Sequence, residues 1–406
     1  MARSTAPRPT PRPTSTTDLV SIDLQSRTPE QLRARRTLKW TAYPPDVLPM
    51  WVAEMDFPVC RAVTSALTRA VAAESVGYPS GVVRGELADA LVAWQGQRHG
   101  WAIDPEAVHL VGDVMHGVSL AIRYFSGPDD PVVIPTPVYM PFFDVVRLTG
   151  RPQIHVPMEW DGERWTFDLA GIDAALAGGG RTVLISSPHN PLGRVFDAGE
   201  LAGLAGVVER HGARVVSDEI HAPLVFERPH IPYAACSPAA AAHAITVVSA
   251  SKAWNLPGLK CAQVITSNTA DTATWRAIPI WETVGVSTFG MEASIAAYRE
   301  GGEWLDEVRR ELAVGRDVVA AAVAGWPGVS TVANEGTYLQ WLDFGGLGLE
   351  VEPADWLLQE ARVAVNSGVP FGGQPGRFAR LNFATTRALL DEGLGRIERA
   401  LTRRRG

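Results

Sequence analysis

The chain has 406 residues, 46% of them hydrophobic and 20% charged, with a formal charge of -7. That length suits two domains or one large α/β domain with extensions, and the apolar content can fill a substantial core. The acidic balance leaves no footprint for nucleic acid, no apolar run reaches bilayer length and no secretory h-region is present, so the cytoplasm is the expected compartment.

Residues 1–17 alternate Pro, Arg, Ser and Thr without an acidic residue, which predicts a disordered arm rather than a transit peptide. Val63 to Ala73 has the pattern of a helix, and Gly77-Tyr78-Pro79 is a sharp loop after it. A rhythm of short apolar runs then begins: Val108–Val111, Val132–Ile134, Ile154–Val156, Val183–Ile185, Val215–Val216, Ile245–Val248 and Val264–Ile265. Helical patterns separate most of them; the clearest runs from Asp197 to His211, with Asp197 and Glu200 as a capping box. Such alternation predicts a mostly parallel sheet with helices on both faces. A long helical region follows Trp275 and continues through Trp304 and Leu312. The remainder reads as α+β, with strands at Thr337–Leu342 and Arg380–Phe383 and helices at Pro353–Arg362 and Leu389–Leu401. The expected organisation is a large domain over 76–299 and a smaller one built from both chain ends, 18–75 and 300–406.

Cys60, Cys236 and Cys261 stand far apart, with neither metal-ligand nor redox spacing, and fit a reducing interior. His189 and His221 lie near carboxylates, but no H-E-x-x-H spacing accompanies them, so no metal is expected.

Ligands of open parallel sheets collect beyond the carboxyl ends of the strands. Three consecutive strand exits deliver polar groups there: Asn190 in Pro188-His189-Asn190-Pro191, Asp218 after Val215-Val216-Ser217, and Lys252 after Ser249-Ala250-Ser251. Apolar neighbours at Trp254, Leu256 and Pro257 disfavour the ammonium form of Lys252, which makes the amine a nucleophile for a carbonyl. An amine, a carboxylate and an amide at one edge suit pyridoxal 5′-phosphate, which needs a lysine for its aldehyde and an acid for its ring nitrogen. The helix that starts near Val114 and Met115 offers free backbone N–H groups to the phosphate, joined by Ser249, Ser251 and Lys260. Tyr139 is placed as an aromatic lid over the ring, and His221 is expected to order the cofactor's surroundings.

The motifs S-A-S-K-A-W-N-L-P-G-L-K, S-S-P-H-N-P-L-G, S-D-E-I-H-A-P-L and F-A-R-L-N-F-A-T resemble the fold-type I aminotransferase superfamily. With W-V-A-E-M-D-F, V-G-Y-P and P-V-Y-M-P-F they are similar to its MalY/PatB group of cystathionine β-lyases and cysteine-S-conjugate β-lyases, from about Pro49 to Thr385. The resemblance implies an α/β, fold-type I aminotransferase-like architecture. It implies that Lys252 binds the cofactor aldehyde, Asp218 pairs with the ring nitrogen, and Asn190 lies by the phenolic oxygen and the substrate. It further implies that Tyr139 stacks on the ring, that Ser249 and Lys260 serve the phosphate, and that Arg380 grips the substrate α-carboxylate. Tyr78 would reach the neighbouring subunit's cofactor, which makes a homodimer with shared sites the expected assembly. Two departures stand out: Asp113 brings negative charge into the phosphate turn, and Lys260 replaces a commoner arginine.

The implied reaction is β-elimination from a cysteine thioether, with Lys252 as base and Lys252 or Tyr139 protonating the departing sulfur. An aminotransferase would use the same residues, and a regulatory binding protein could keep the fold. The intact Lys252, Asp218 and Arg380 set argues against a purely regulatory role. Candidates for the side-chain pocket are Trp51, Met55, Trp281, Thr288 and Phe289.

Overall fold

The computed structural model describes residues 23–373 and 376–405, so the expected arm at 1–17 lies outside the described residues. All seven apolar runs become strands of one sheet. They are β1 (Val108–Val111), β2 (Val132–Thr136), β3 (Gln153–Pro157), β4 (Thr182–Ser186), β5 (Arg214–Asp218), β6 (Ala244–Val248) and β7 (Ala262–Thr266). Their order is β1-β7-β6-β5-β4-β2-β3. β7 runs antiparallel to both β1 and β6, and every other pair is parallel. Successive side chains leave opposite faces of a strand. Val183, Ile185 and Val215 accordingly join one apolar cluster, while Leu184, Val216 and Val247 join another. Both faces are covered, which is why the strands read as continuous apolar runs rather than as alternation.

Helices fill the intervals. Ala198–Arg210 carries the expected capping box between Asp197 and Glu200. The long helical region differs from expectation, because it is broken into Ile280–Thr283, Thr288–Glu300 and Gly302–Ala324. The last break falls at Gly301, where only a glycine fits. A Cβ on Gly301 would lie 2.4 Å from the Trp254 Nε1, which donates to the Gly301 carbonyl at 3.0 Å. Trp254 is fully buried against Trp94 and Tyr298, so the loop that carries Lys252 is anchored in the helical layer.

A second, antiparallel sheet orders Ser330–Thr331, Leu339–Asp343, Phe378–Asn382 and Asn366–Ser367. Leu48–Pro49 pairs in parallel with Val363–Ala364, joining the early chain to the late chain. Among the described residues no helix is long and apolar enough to cross a membrane.

Candidate active site

The parallel strands β4, β5 and β6 are adjacent, with Ser186 opposite Asp218 and Asp218 opposite Val247. Their exits therefore open side by side onto a cavity of about 220 Å³. Lys252, Asp218, Asn190, Tyr139, His221, Ser249, Lys260, Val114 and Met115 all line it. Asp218, Asn190, His221 and Ser249 are buried, while Lys252 and Tyr139 are partly exposed.

Lys252 donates to the Ala53 carbonyl at 3.0 Å. Desolvation, then repulsion from Arg380, draws its amine down to about 8, against weaker attraction to Glu54 and Asp218. Asp218 moves the other way. Desolvation pushes its carboxyl up to about 7, although the Ile220 N–H and Lys252 favour the anion. His221 is held near 3, first by desolvation and then by Lys252 and Arg380, so it is neutral. Its Nδ1 is buried without a hydrogen-bond partner, a polar atom aimed at something the protein does not supply. Burial also raises the Tyr139 phenol.

Arg380 does not line the cavity wall but stands just behind Asn190. Its guanidinium donates to Asn190 Oδ1 at 3.0 Å, Asn366 Oδ1 at 2.6 Å and the Trp51 carbonyl at 3.2 Å, and stacks over Phe371. All three acceptors are neutral. Arg380 is thus a cation 3% exposed with no carboxylate beside it and with Nε unpartnered, an arrangement that can take up an anion.

The end of the cavity expected to take the phosphate is more exposed. Asp113 caps the helix Val114–Phe125, accepting from the His116 N–H at 2.9 Å, and its other oxygen accepts from Lys260 Nζ at 2.9 Å. Burial would raise the Asp113 carboxyl, but the His116 amide and Lys260 outweigh it and hold it low. Ser249 donates its hydroxyl to the Cys261 carbonyl at 2.7 Å and accepts from the Ser251 N–H, so it shapes the turn. The amides of Val114 and Met115 head the helix, with no preceding turn to receive them. The donor set fits pyridoxal 5′-phosphate: helix-start amides for the phosphate, an amine for the aldehyde and a carboxyl of raised pKa for the ring nitrogen.

Tyr78 is fully exposed and lies outside its own chain's cavity. The five side-chain-pocket candidates do not line the cavity either. Trp281 faces outward, Met55 is buried with its backbone held by Asn255, and Thr288 donates to the Gly77 carbonyl. Trp51 contributes its carbonyl to Arg380. Other contributors carried no sequence signal as site residues. The Ala53 carbonyl accepts from both Lys252 and Tyr338, and Asn382 Nδ2 holds the Val52 and Glu54 carbonyls at 2.6 and 2.7 Å. Lys39 and Asp56, a buried ion pair at 2.9 Å, brace the same segment from behind. Asn366 is recognisable only from its cross-strand register with Arg380.

Residues 45–397 match the family aminotransferase class I and II. A cystathionine β-lyase of Corynebacterium glutamicum is 42% identical over 92% of this chain and 98% of its own. The cystathionine β-lyase PatB of Bacillus subtilis is 34% identical over 88% of this chain and 93% of its own. A structure described as a PLP-dependent β-cystathionase of Corynebacterium diphtheriae superposes with a TM-score of 0.89 at 38% identity, over 93% and 99% of the two chains.

Proposed function

Because the chain belongs to the class I and II aminotransferase family, we propose that it is a pyridoxal-phosphate carbon–sulfur β-lyase that cleaves cystathionine or a related cysteine thioether. The observation that carries this reading is Arg380, a buried cation with only neutral oxygens around it, set beside an amine and an acid of shifted pKa. An amino-acid substrate supplies the missing carboxylate. The relatives' names, and the similarity along almost their whole length, favour sulfur elimination over amino transfer.

When bound, pyridoxal 5′-phosphate supplies an electron sink for negative charge at the substrate Cα. Lys252 would hold it through its amine and would serve as base for the substrate Cα proton, and a pKa near 8 keeps a usable neutral fraction at physiological pH. Asp218 would pair with the ring nitrogen through a proton, the role its raised pKa suits. Arg380 fixes the α-carboxylate, and Asn190 serves both the phenolic oxygen and the guanidinium. The thiol departs from Cβ, with Lys252 or Tyr139 as proton donor, and the remaining fragment hydrolyses to pyruvate and ammonia.

A homodimer completes the site in this reading. Val71, Val76 and Val82 are exposed on the helices Arg61–Ala72 and Gly81–His99 and the loop between them, which also exposes Tyr78 and whose Gly77 carbonyl accepts from Thr288. That apolar surface supports a second copy, with Tyr78 reaching the partner's phosphate. Three free cysteines support a cytoplasmic setting. The test is a panel of cysteine thioethers assayed for stoichiometric pyruvate and free thiol. Amino transfer from alanine to a keto acid at a comparable rate, without pyruvate from cystathionine, would replace the lyase reading with an aminotransferase.

A further inference from the structure

We infer that Asp113 is a built-in counter-anion that competes with the cofactor's phosphate for Lys260, and so sets how tightly this chain holds pyridoxal 5′-phosphate. The inference rests on the cofactor assignment above.

Lys260 is committed in two ways. Its ammonium lies 2.9 Å from Asp113 Oδ2. Its backbone is left-handed at φ 50°, a conformation uncommon for a residue with a side chain, and the Ser287 N–H pins its carbonyl at 3.1 Å. The ammonium therefore swings from a fixed base between Asp113 and the cavity that both residues line. Other donors cannot fully replace it. The Ser249 hydroxyl is donated to the Cys261 carbonyl, and the His116 amide to Asp113 itself. Within its own chain the phosphate is left with the Val114 and Met115 amides, the Ser251 hydroxyl and whatever share of Lys260 it can draw away.

The partial positive charge of a helix start attracts phosphate. Here the residue that caps that start is itself an anion, and it offsets the attraction it helps to organise. Lys260 has three N–H donors and can bridge both anions. One positive charge then serves a carboxylate and a phosphate together. The Lys260 and Asp113 side chains are 59% and 44% exposed, so the pair is weak enough for phosphate to displace. The carboxylate stays behind, held by the His116 amide.

Asp113→Asn separates the two roles, because asparagine caps as well as aspartate but carries no charge. Apoenzyme of the full chain and of the variant is titrated with pyridoxal 5′-phosphate and with unphosphorylated pyridoxal, followed by absorbance and tryptophan quenching. The expected result is about three- to tenfold tighter binding of the phosphorylated form to the variant, with pyridoxal affinity changed less than about twofold. Inorganic phosphate should also raise the melting temperature of the variant apoenzyme more than that of the parent. Asp113→Ser, a second neutral cap, should repeat both results. Equal or weaker binding of the phosphorylated form by the neutral-cap variants, or an equal gain for pyridoxal, overturns the inference. Absence of any cofactor band in the parent overturns the cofactor assignment instead.

Discussion

The two ends of the cavity treat charge in opposite ways. At the amine end Asp218 and Arg380 are buried, and the charges of Lys252, Asp218 and Arg380 are poorly matched. Lys252 donates to a backbone carbonyl, and Arg380 to two amide side chains and a carbonyl. At the phosphate end Lys260 and Asp113 form a direct, half-exposed ion pair. Poorly solvated and incompletely paired, the first set has pKa values moved toward neutrality, which is what proton transfer requires. Water and a partner stabilise the second set, which in the proposed reading tunes affinity rather than chemistry. The difference teaches where substitutions should stop the reaction and where they should only loosen a ligand.

The sharpest test of that division is Lys252→Ala. Losing both the covalent tether and the base should lower pyruvate formation by about 10³-fold or more, and the absorbance band of the bound cofactor should move to that of free aldehyde. Retention of a tenth of the activity would place the chemistry elsewhere. Next comes Arg380→Lys, which keeps the charge but loses the planar fork shared among Asn190, Asn366 and the Trp51 carbonyl. A rise in KM of about 10- to 100-fold with kcat nearly unchanged is expected, because the carboxylate contact is made in ground and transition states alike.

Much of the amine end was readable before any coordinates. Asn190, Asp218 and Lys252 each close an apolar run, and parallel topology sends such exits to one edge. The contributors that were not readable are partners of partners. Tyr338 matters because its hydroxyl meets the Ala53 carbonyl across 285 positions, and Asn382 because its amide spans two carbonyls of the early segment. No periodicity encodes contacts of that range, since they depend on how the two sheets are set against each other. The need for glycine at 301 is hidden for a related reason, because what leaves no room for a side chain there is the Trp254 indole from a distant loop. Asp113 was visible as an oddity, yet its capping and pairing geometry was not.

A subtler test of the amine end uses pH and apoenzyme stability. The Asp218 carboxyl sits at about 7 against an ordinary 3.8, so between those values the folded chain binds a proton that the unfolded chain releases. Its contribution is full below about pH 4 and lost as pH rises through 7. Lys252 has the opposite sign. Its pKa falls from 10.5 to about 8, so stability declines as pH falls through that interval. Near pH 8 the apoenzyme therefore bears the full cost at Asp218 and much of the cost at Lys252. Asp218→Asn should stabilise it there by on the order of 2 kcal/mol, once lost attraction to Lys252 is set against the relief. The gain should vanish near pH 4 in urea titrations monitored by circular dichroism. A pH-independent difference would mean that Asp218 is not the buried acid described here.

The smallest effect belongs to the phosphate end. Ser251 lines the cavity, and its amide is already held by the Ser249 hydroxyl oxygen, so Ser251→Ala should leave the turn folded and remove one neutral donor. One such hydrogen bond, exchanged against water, is worth about 1 kcal/mol, which corresponds to roughly a fivefold weaker hold on pyridoxal 5′-phosphate. Pyridoxal binding should not change, and kcat at saturating cofactor should stay within about twofold of the parent. A loss in kcat comparable to that of Lys252→Ala would show that the two ends do not divide the work between chemistry and affinity, because a half-exposed turn would then be controlling proton transfer at Lys252.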